Sequence, residues 1–216
     1  VLDLTKRSGS KLIYLSTSEV YGPDMPVMSE NEVPNPNNRY GLTKYLSEYL
    51  VEYEVRQYGL RAVTLRPFMI YDENENFGDH RSAMIRFAYN LAVGSPIVVH
   101  RGGLRGWLHI SDAVKILLAA AELNDYAVIN IGHGDVRPIS ELAQLMCEAL
   151  GADPALITER ELPERMTRVK VPDLTLQKEL LGIIPQISLE DGVKRVATRT
   201  KERLKGLNGL KQDRLI

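Results

Sequence analysis

Tyr40 and Lys44, in the run Tyr40-Gly41-Leu42-Thr43-Lys44, are the first residues whose types and spacing suggest chemistry. On a helix, positions i and i+4 share a face, so the Lys44 ammonium can stand beside the Tyr40 phenol. A nearby positive charge favours the phenolate and lowers the tyrosine pKa, giving a usable base near neutral pH. With 10 tyrosines in 216 residues, that spacing is weak by itself. Upstream stands Ser16-Thr17-Ser18-Glu19-Val20-Tyr21-Gly22, hydroxyls and a carboxylate at the end of an apolar run. In an open parallel sheet, ligands bind beyond the carboxyl ends of the strands, so this segment and Tyr40 can face one ligand. The blander alternatives are a loop-capping role for Glu19 and loop hydrogen bonds for Ser16 and Ser18.

The elements that must position these groups follow from periodicity and punctuation. Residues 11–16 form a short apolar run that suits a buried strand. Four prolines between Gly22 and Arg39 forbid a regular element there. Apolar residues at helical spacing predict a helix over 40–58, stopped by Gly59, and 61–65 is again strand-like. Strand, helix, strand over this distance is a βαβ unit with a parallel sheet. Val1 to Gly9 reads as the last turns of a helix. Further along, the pattern predicts a loop at 72–78, a helix at 82–93, and a strand at 96–100. A helix at 111–123 capped by Ser111, a strand at 127–131, and a helix opening at Ser140 and closing at Gly151 come next. Residues 153–172 read as irregular and charged, Glu159 to Arg168 as a solvated loop, 189–204 as a final helix, and the remainder as a tail.

Composition narrows the class. Lys plus Arg number 27 against 28 Asp plus Glu, a formal net charge of −1, which argues against a chain that grips nucleic acid or an anionic membrane. No apolar run approaches the roughly 20 residues needed to cross a bilayer. The single cysteine, Cys147, excludes an internal disulfide framework and points to a reducing, cytoplasmic setting, with Cys147 itself in a helical core. His80, His100, His109 and His133 lack metal-ligand spacing, and no metal site is expected. The chain opens inside an element, so further residues before Val1 are expected.

Taken in order, the pieces resemble the extended short-chain dehydrogenase/reductases that modify nucleotide sugars. Ser16-Thr17-Ser18-Glu19-Val20-Tyr21-Gly22 is followed by a proline-rich loop and then the Tyr40/Lys44 pair; Leu65-Arg66-Pro67-Phe68 resembles the family's R-P-F. Gly102 to Trp107 resembles its G-x-x-R segment, Asn130-Ile131-Gly132 with Ser140-Glu141-Leu142-Ala143 its N-I-G...S-x-x-E-L-A, and Val171-Pro172-Asp173 with Leu181-Gly182 its ending. The resemblance covers residues 1 to about 200. It implies an α/β fold: an incomplete Rossmann-type parallel sheet over 1–70, a smaller α/β substrate-binding region over 71–200 with segments returning to the sheet, and a tail at 201–216. It also implies NAD, a nucleotide-sugar substrate and a homodimer paired through the Tyr40 helix.

For the site, the resemblance makes Tyr40 the acceptor of a sugar hydroxyl proton, Lys44 its partner at the nicotinamide ribose, and Thr17 a hydrogen-bond partner of the reacting oxygen. Glu19 becomes the carboxylate for further chemistry, which tilts the reading to dehydration or decarboxylation through a 4-keto sugar. A 4-epimerase and a non-catalytic binding protein on the same scaffold stand as alternatives. Ser16 and Arg66 are assigned to the cofactor beside Tyr40 and Lys44; Ser18, Met69, Arg105 and Lys170 are assigned to the substrate with Thr17. Two departures stand out. Met69 replaces an asparagine that in relatives helps hold the substrate diphosphate, and no G-x-x-G-x-x-G dinucleotide loop occurs.

Overall fold

The computed structural model describes residues 1–23, 25–78, 81–163 and 167–212, with side chains as far as 206. In chain order the elements are α1 (Leu2–Ser8), β1 (Leu12–Leu15), a 3-10 turn (Ser18–Tyr21), α2 (Arg39–Tyr58), β2 (Ala62–Pro67) and β3 (Ile70–Tyr71). There follow α3 (Ala83–Ala92), β4 (Ile97–His100), β5 (Leu104–Gly106), β6 (Leu108–His109), α4 (Ile110–Glu122), β7 (Val128–Ile131) and β8 (Val136–Pro138). The last are α5 (Ile139–Leu150), a 3-10 turn (Pro154–Leu156), β9 (Ile157–Arg160), β10 (Val169–Lys170), α6 (Thr175–Leu181) and α7 (Leu189–Gln212). The chain divides into two compact units, one of residues 1–70, 104–136 and 163–186, the other of 71–103, 137–162 and 187–216.

The first unit is built on a parallel sheet of order β1-β2-β7, so the chain is α/β as expected. The central strand β2 is buried along Ala62 to Arg66, on both of its faces, so buried residues do not alternate with exposed ones. Val63, Leu65, Ile129 and Ile131 meet Ala113, Ile116 and Ala120 of α4 in a core with little exposure. The Lys11 ammonium secures the end of that helix by donating to the carbonyls of Ala120 (2.8 Å), Ala121 (3.0 Å) and Leu123, where a cation also complements the helix dipole. Helix α2 lies between β1 and β2 in sequence and ends on Gly59 in the left-handed conformation that L side chains resist.

In the second unit, α3, α5 and α7 pack on one another, and β4 pairs in parallel with β9, Ile97 opposite Ile157 through His100 opposite Arg160.

Several expectations are corrected. His109, not Ser111, caps α4: its ring accepts from the Ser111 amide, because the helix starts one residue earlier, at Ile110. Helix α5 starts after Pro138 without a side-chain cap, so Ser140 lies within it. The stretch 153–172 holds β9 and β10, because strands this short carry too few residues to display a period. Glu159 is thus a strand residue, ion-paired with Arg101 at 2.8 Å. The final helix continues past residue 204 to Gln212. His80 lies outside the described residues.

Candidate active site

Five segments of the first unit carry the candidate residues. Ser16 directly follows β1 and is buried, with its amide bonded to the Leu65 carbonyl at 2.7 Å; its hydroxyl has no hydrogen-bond partner among the described residues. Thr17 is extended and caps the following 3-10 turn, its Oγ1 accepting from the Glu19 amide at 3.2 Å. That leaves the Thr17 hydroxyl proton available to a ligand. Ser18 is buried within the turn.

Tyr40 and Lys44 occupy the first turns of α2, and Tyr40 is 55% exposed. The Lys44 ammonium is 6.0 Å from the Tyr40 ring centroid and 5.2 Å from that of Tyr14, and it donates to the Leu15 carbonyl at 2.8 Å. The shared face predicted from the spacing therefore exists, with Lys44 anchored to the end of β1 beside Ser16.

Asn38 makes the join between α2 and the Thr17–Tyr21 turn. Its Oδ1 accepts from the Gly41 amide at 2.8 Å, capping α2, while its Nδ2 donates to Glu19 Oε2 at 3.0 Å. A Cβ on Gly41 would lie 2.6 Å from the Glu19 carbonyl oxygen, so the glycine after Tyr40 permits the close approach of helix and turn. Sequence reasoning passed over Asn38, although an Asn ahead of an apolar-periodic run is an N-cap signal.

The other Glu19 oxygen is ion-paired with Lys170, whose side chain is 8% exposed. On β10, Lys170 lies opposite Arg105 of β5. Burial raises the Glu19 carboxyl, but Lys170, Asn38 and Arg105 outweigh it and hold the group below its ordinary value. Burial lowers the Lys170 ammonium; Glu19 opposes this and Arg105 adds to it. Arg105 donates to the backbone carbonyls of Leu104 (2.7 Å), Arg168 (2.8 Å) and Thr167 (2.7 Å), and burial, only partly offset by Glu19, brings it down to about 10. Two buried cations thus share one carboxylate, an excess of positive charge suited to an anion.

Arg66 is placed differently from the expectation. Its guanidinium forms a buried pair with Glu48, Nη2 to Oε2 at 2.7 Å, and donates to the Tyr21 hydroxyl at 2.9 Å. Burial lowers its pKa, yet Glu48 and Tyr21 prevail and hold it above the ordinary value. It belongs to an internal network and not to the exposed group around Tyr40. Met69 is half-buried with φ of 42°, a left-handed backbone unusual for a non-glycine residue and one that asparagine tolerates better. Arg168 is exposed.

Among the described residues, no group of three His, Cys, Asp or Glu side chains could hold a metal ion, and no helix is long and apolar enough to cross a membrane.

Comparison with known proteins accords with this geometry. The model of the NAD dependent epimerase/dehydratase family matches residues 1–132. UDP-glucuronic acid decarboxylase 3 of Arabidopsis thaliana is 30% identical over 201 residues, which take in 89% of this chain and 58% of that protein. The chain therefore spans little more than half the length of this relative. A UDP-glucose 4-epimerase from Thermotoga maritima, solved with UDP-glucose, superposes with a TM-score of 0.86 at 28% identity, over 94% of this chain and 67% of that one. MoeE5, solved with UDP-glucuronic acid and NAD, superposes with a TM-score of 0.84 at 25% identity, over 94% of this chain and 69% of that one.

Proposed function

This chain belongs to the NAD-dependent epimerase/dehydratase family, and from that premise we propose that it is part of an enzyme that modifies a nucleotide sugar through a transient 4-keto intermediate. The observation that carries the reading is the junction of Tyr40, the Thr17–Glu19 turn and Lys170 through Asn38 and the Glu19 ion pair.

In this reading Tyr40 accepts the proton of the sugar hydroxyl, and the free Thr17 hydroxyl proton bonds the reacting oxygen. NAD, when bound, supplies the acceptor for hydride from the sugar carbon. Ser16, with a buried hydroxyl lacking a partner, and Lys44, anchored beside it, are the residues that fit the cofactor. Arg105 and Lys170 provide the positive charge for the substrate diphosphate. Oxidation acidifies the carbon next to the new ketone, and Glu19 is the carboxylate assigned to act on it, which favours dehydration or decarboxylation. A 4-epimerase is the second reading, favoured by the engagement of both Glu19 oxygens by Lys170 and Asn38.

Leu42, Leu46, Tyr49, Leu50 and Tyr53 make an exposed apolar stripe on α2, and we assign it to a second copy of the chain. We propose a cytoplasmic setting, a reading supported by the free, buried Cys147.

The test uses the full-length protein, Tyr40→Phe, and UDP-, dTDP- and GDP-sugars. Turnover should fall by at least about 10²-fold, the usual range for a lost acid-base group. Wild-type turnover by Tyr40→Phe would sink the reading. Carbon dioxide release, a 4-keto-6-deoxy product or an inverted stereocentre separates decarboxylation, dehydration and epimerisation.

A further inference from the structure

Behind the exposed groups lies a continuous buried chain that the proposed chemistry does not use. Glu48, on the buried side of α2, receives Arg66 through Nε (3.1 and 3.2 Å) and Nη2 (2.7 Å). Both side chains are 5% exposed. Arg66 Nη1 donates to the Tyr21 hydroxyl at 2.9 Å, and Tyr21 donates to Asn130 Oδ1 at 2.7 Å. Asn130 Nδ2 then donates to the carbonyls of Met28 (2.9 Å) and Asp173 (3.2 Å). Met28 is bonded to the Val171 carbonyl at 2.8 Å, one residue past Lys170.

The links reach three segments that carry candidate site residues. Glu48 is one helical turn beyond Lys44 and two beyond Tyr40. Tyr21 closes the turn that begins after Thr17 and contains Glu19. Asn130 and Met28 hold the segment that continues from Lys170. Burying an ion pair is weak evidence for stability, since apolar groups of similar size commonly do as well; what such a pair supplies is one permitted arrangement. Burial pushes Tyr21 up to about 12 against the lowering by Arg66, so it stays a protonated donor throughout the neutral range.

We propose that Glu48, Arg66, Tyr21 and Asn130 are positioning residues that fix the Tyr40/Lys44 helix, the Thr17–Glu19 turn and the Lys170 strand in one mutual geometry. The inference rests on the function proposed above, and a misplacement of about 1 Å between such groups can cost up to about 10²-fold in rate. The contacts of the network are internal to the fold, so loosening it affects turnover without removing a ligand contact.

Tyr21→Phe is the milder variant, since it deletes one hydroxyl and keeps the ring. Glu48→Gln keeps the shape and removes the charge. Both are made in the full-length protein beside Tyr40→Phe, with kcat taken per mole of bound NAD and KM measured on the same samples. The expected result is a fall in kcat of about 10-fold for Tyr21→Phe and more for Glu48→Gln, at unchanged KM. If Glu48→Gln does not fold, Tyr21→Phe decides alone. Wild-type kcat in Tyr21→Phe with a lowered thermal midpoint would make the network a stability element and overturn the inference. A raised KM at unchanged kcat would overturn it too, as the mark of a lost substrate contact. Full activity in Tyr40→Phe would instead remove the function on which the inference rests.

Discussion

Gly41→Ala turns the close approach between α2 and the Glu19 turn into a measurable quantity. In a helix, alanine is ordinarily better than glycine by up to about 1 kcal/mol, so propensity alone predicts a gain. The new Cβ, however, would lie 2.6 Å from the Glu19 carbonyl oxygen, 3.0 Å from its carbon and 3.1 Å from Pro36 Cβ. Ordinary contact begins at 3.4 Å, so helix and turn must part by roughly 0.8 Å, the difference between 3.4 and 2.6 Å. The two nearest obstructing atoms are backbone, which cannot swing aside as a flexible side chain can. Overpacking of this kind costs about 1 to 3 kcal/mol, and backbone against backbone belongs at the upper end. Subtracting the propensity gain leaves a net loss of about 2 kcal/mol, or a thermal midpoint lower by roughly 4 to 8 °C for a chain of this size. Urea denaturation of wild type and Gly41→Ala under identical conditions measures it. A variant as stable as wild type, or more so, would refute the argument that the glycine is there for the approach.

Asn38→Ala removes the α2 cap and one Glu19 partner together. It should cost about 1 kcal/mol in the same denaturation series, with Asn38→Asp recovering the cap but placing a second carboxylate beside Glu19. The Glu19 carboxyl is held below its ordinary value in the folded state. Its contribution is therefore complete above the unfolded pKa and lost as the pH falls through the lower, folded one. Stability measured from pH 6 down to about pH 3 should fall less steeply in Glu19→Gln than in wild type, and parallel curves would count against the ion pair with Lys170.

The parallel sheet was legible because β2 and β7 are largely buried and β1 is half-buried, and their mainly apolar runs are separated by a helical pattern. The cap of α4 was misread because a histidine ring nitrogen served where a serine two residues on looked the better cap. Of the two site motifs, the Tyr40/Lys44 spacing carried its meaning locally, since i and i+4 need only the helix that joins them. Glu19 and Lys170 stand 151 residues apart, and nothing in either segment announces the other. Asn130 is similar, since its partners at Tyr21, Met28 and Asp173 come from three different parts of the chain.

The arginines carry this point furthest. From sequence, Arg66 and Arg105 looked alike, each a cation in a loop-like motif with a ligand to hold. What separates them is the charge of their partners. Arg66 meets a carboxylate that neutralises it, and its pKa rises despite burial. Arg105 is equally buried but is surrounded by carbonyl dipoles and only a distant share of Glu19, and its pKa falls to about 10. A neutralised guanidinium has little to gain from a phosphate, whereas one held by dipoles gains a full opposing charge. The electrostatics thus tie Arg66 to the scaffold and leave Arg105, with Lys170 beside it, as the two cations that the proposed function assigns to an anionic substrate group.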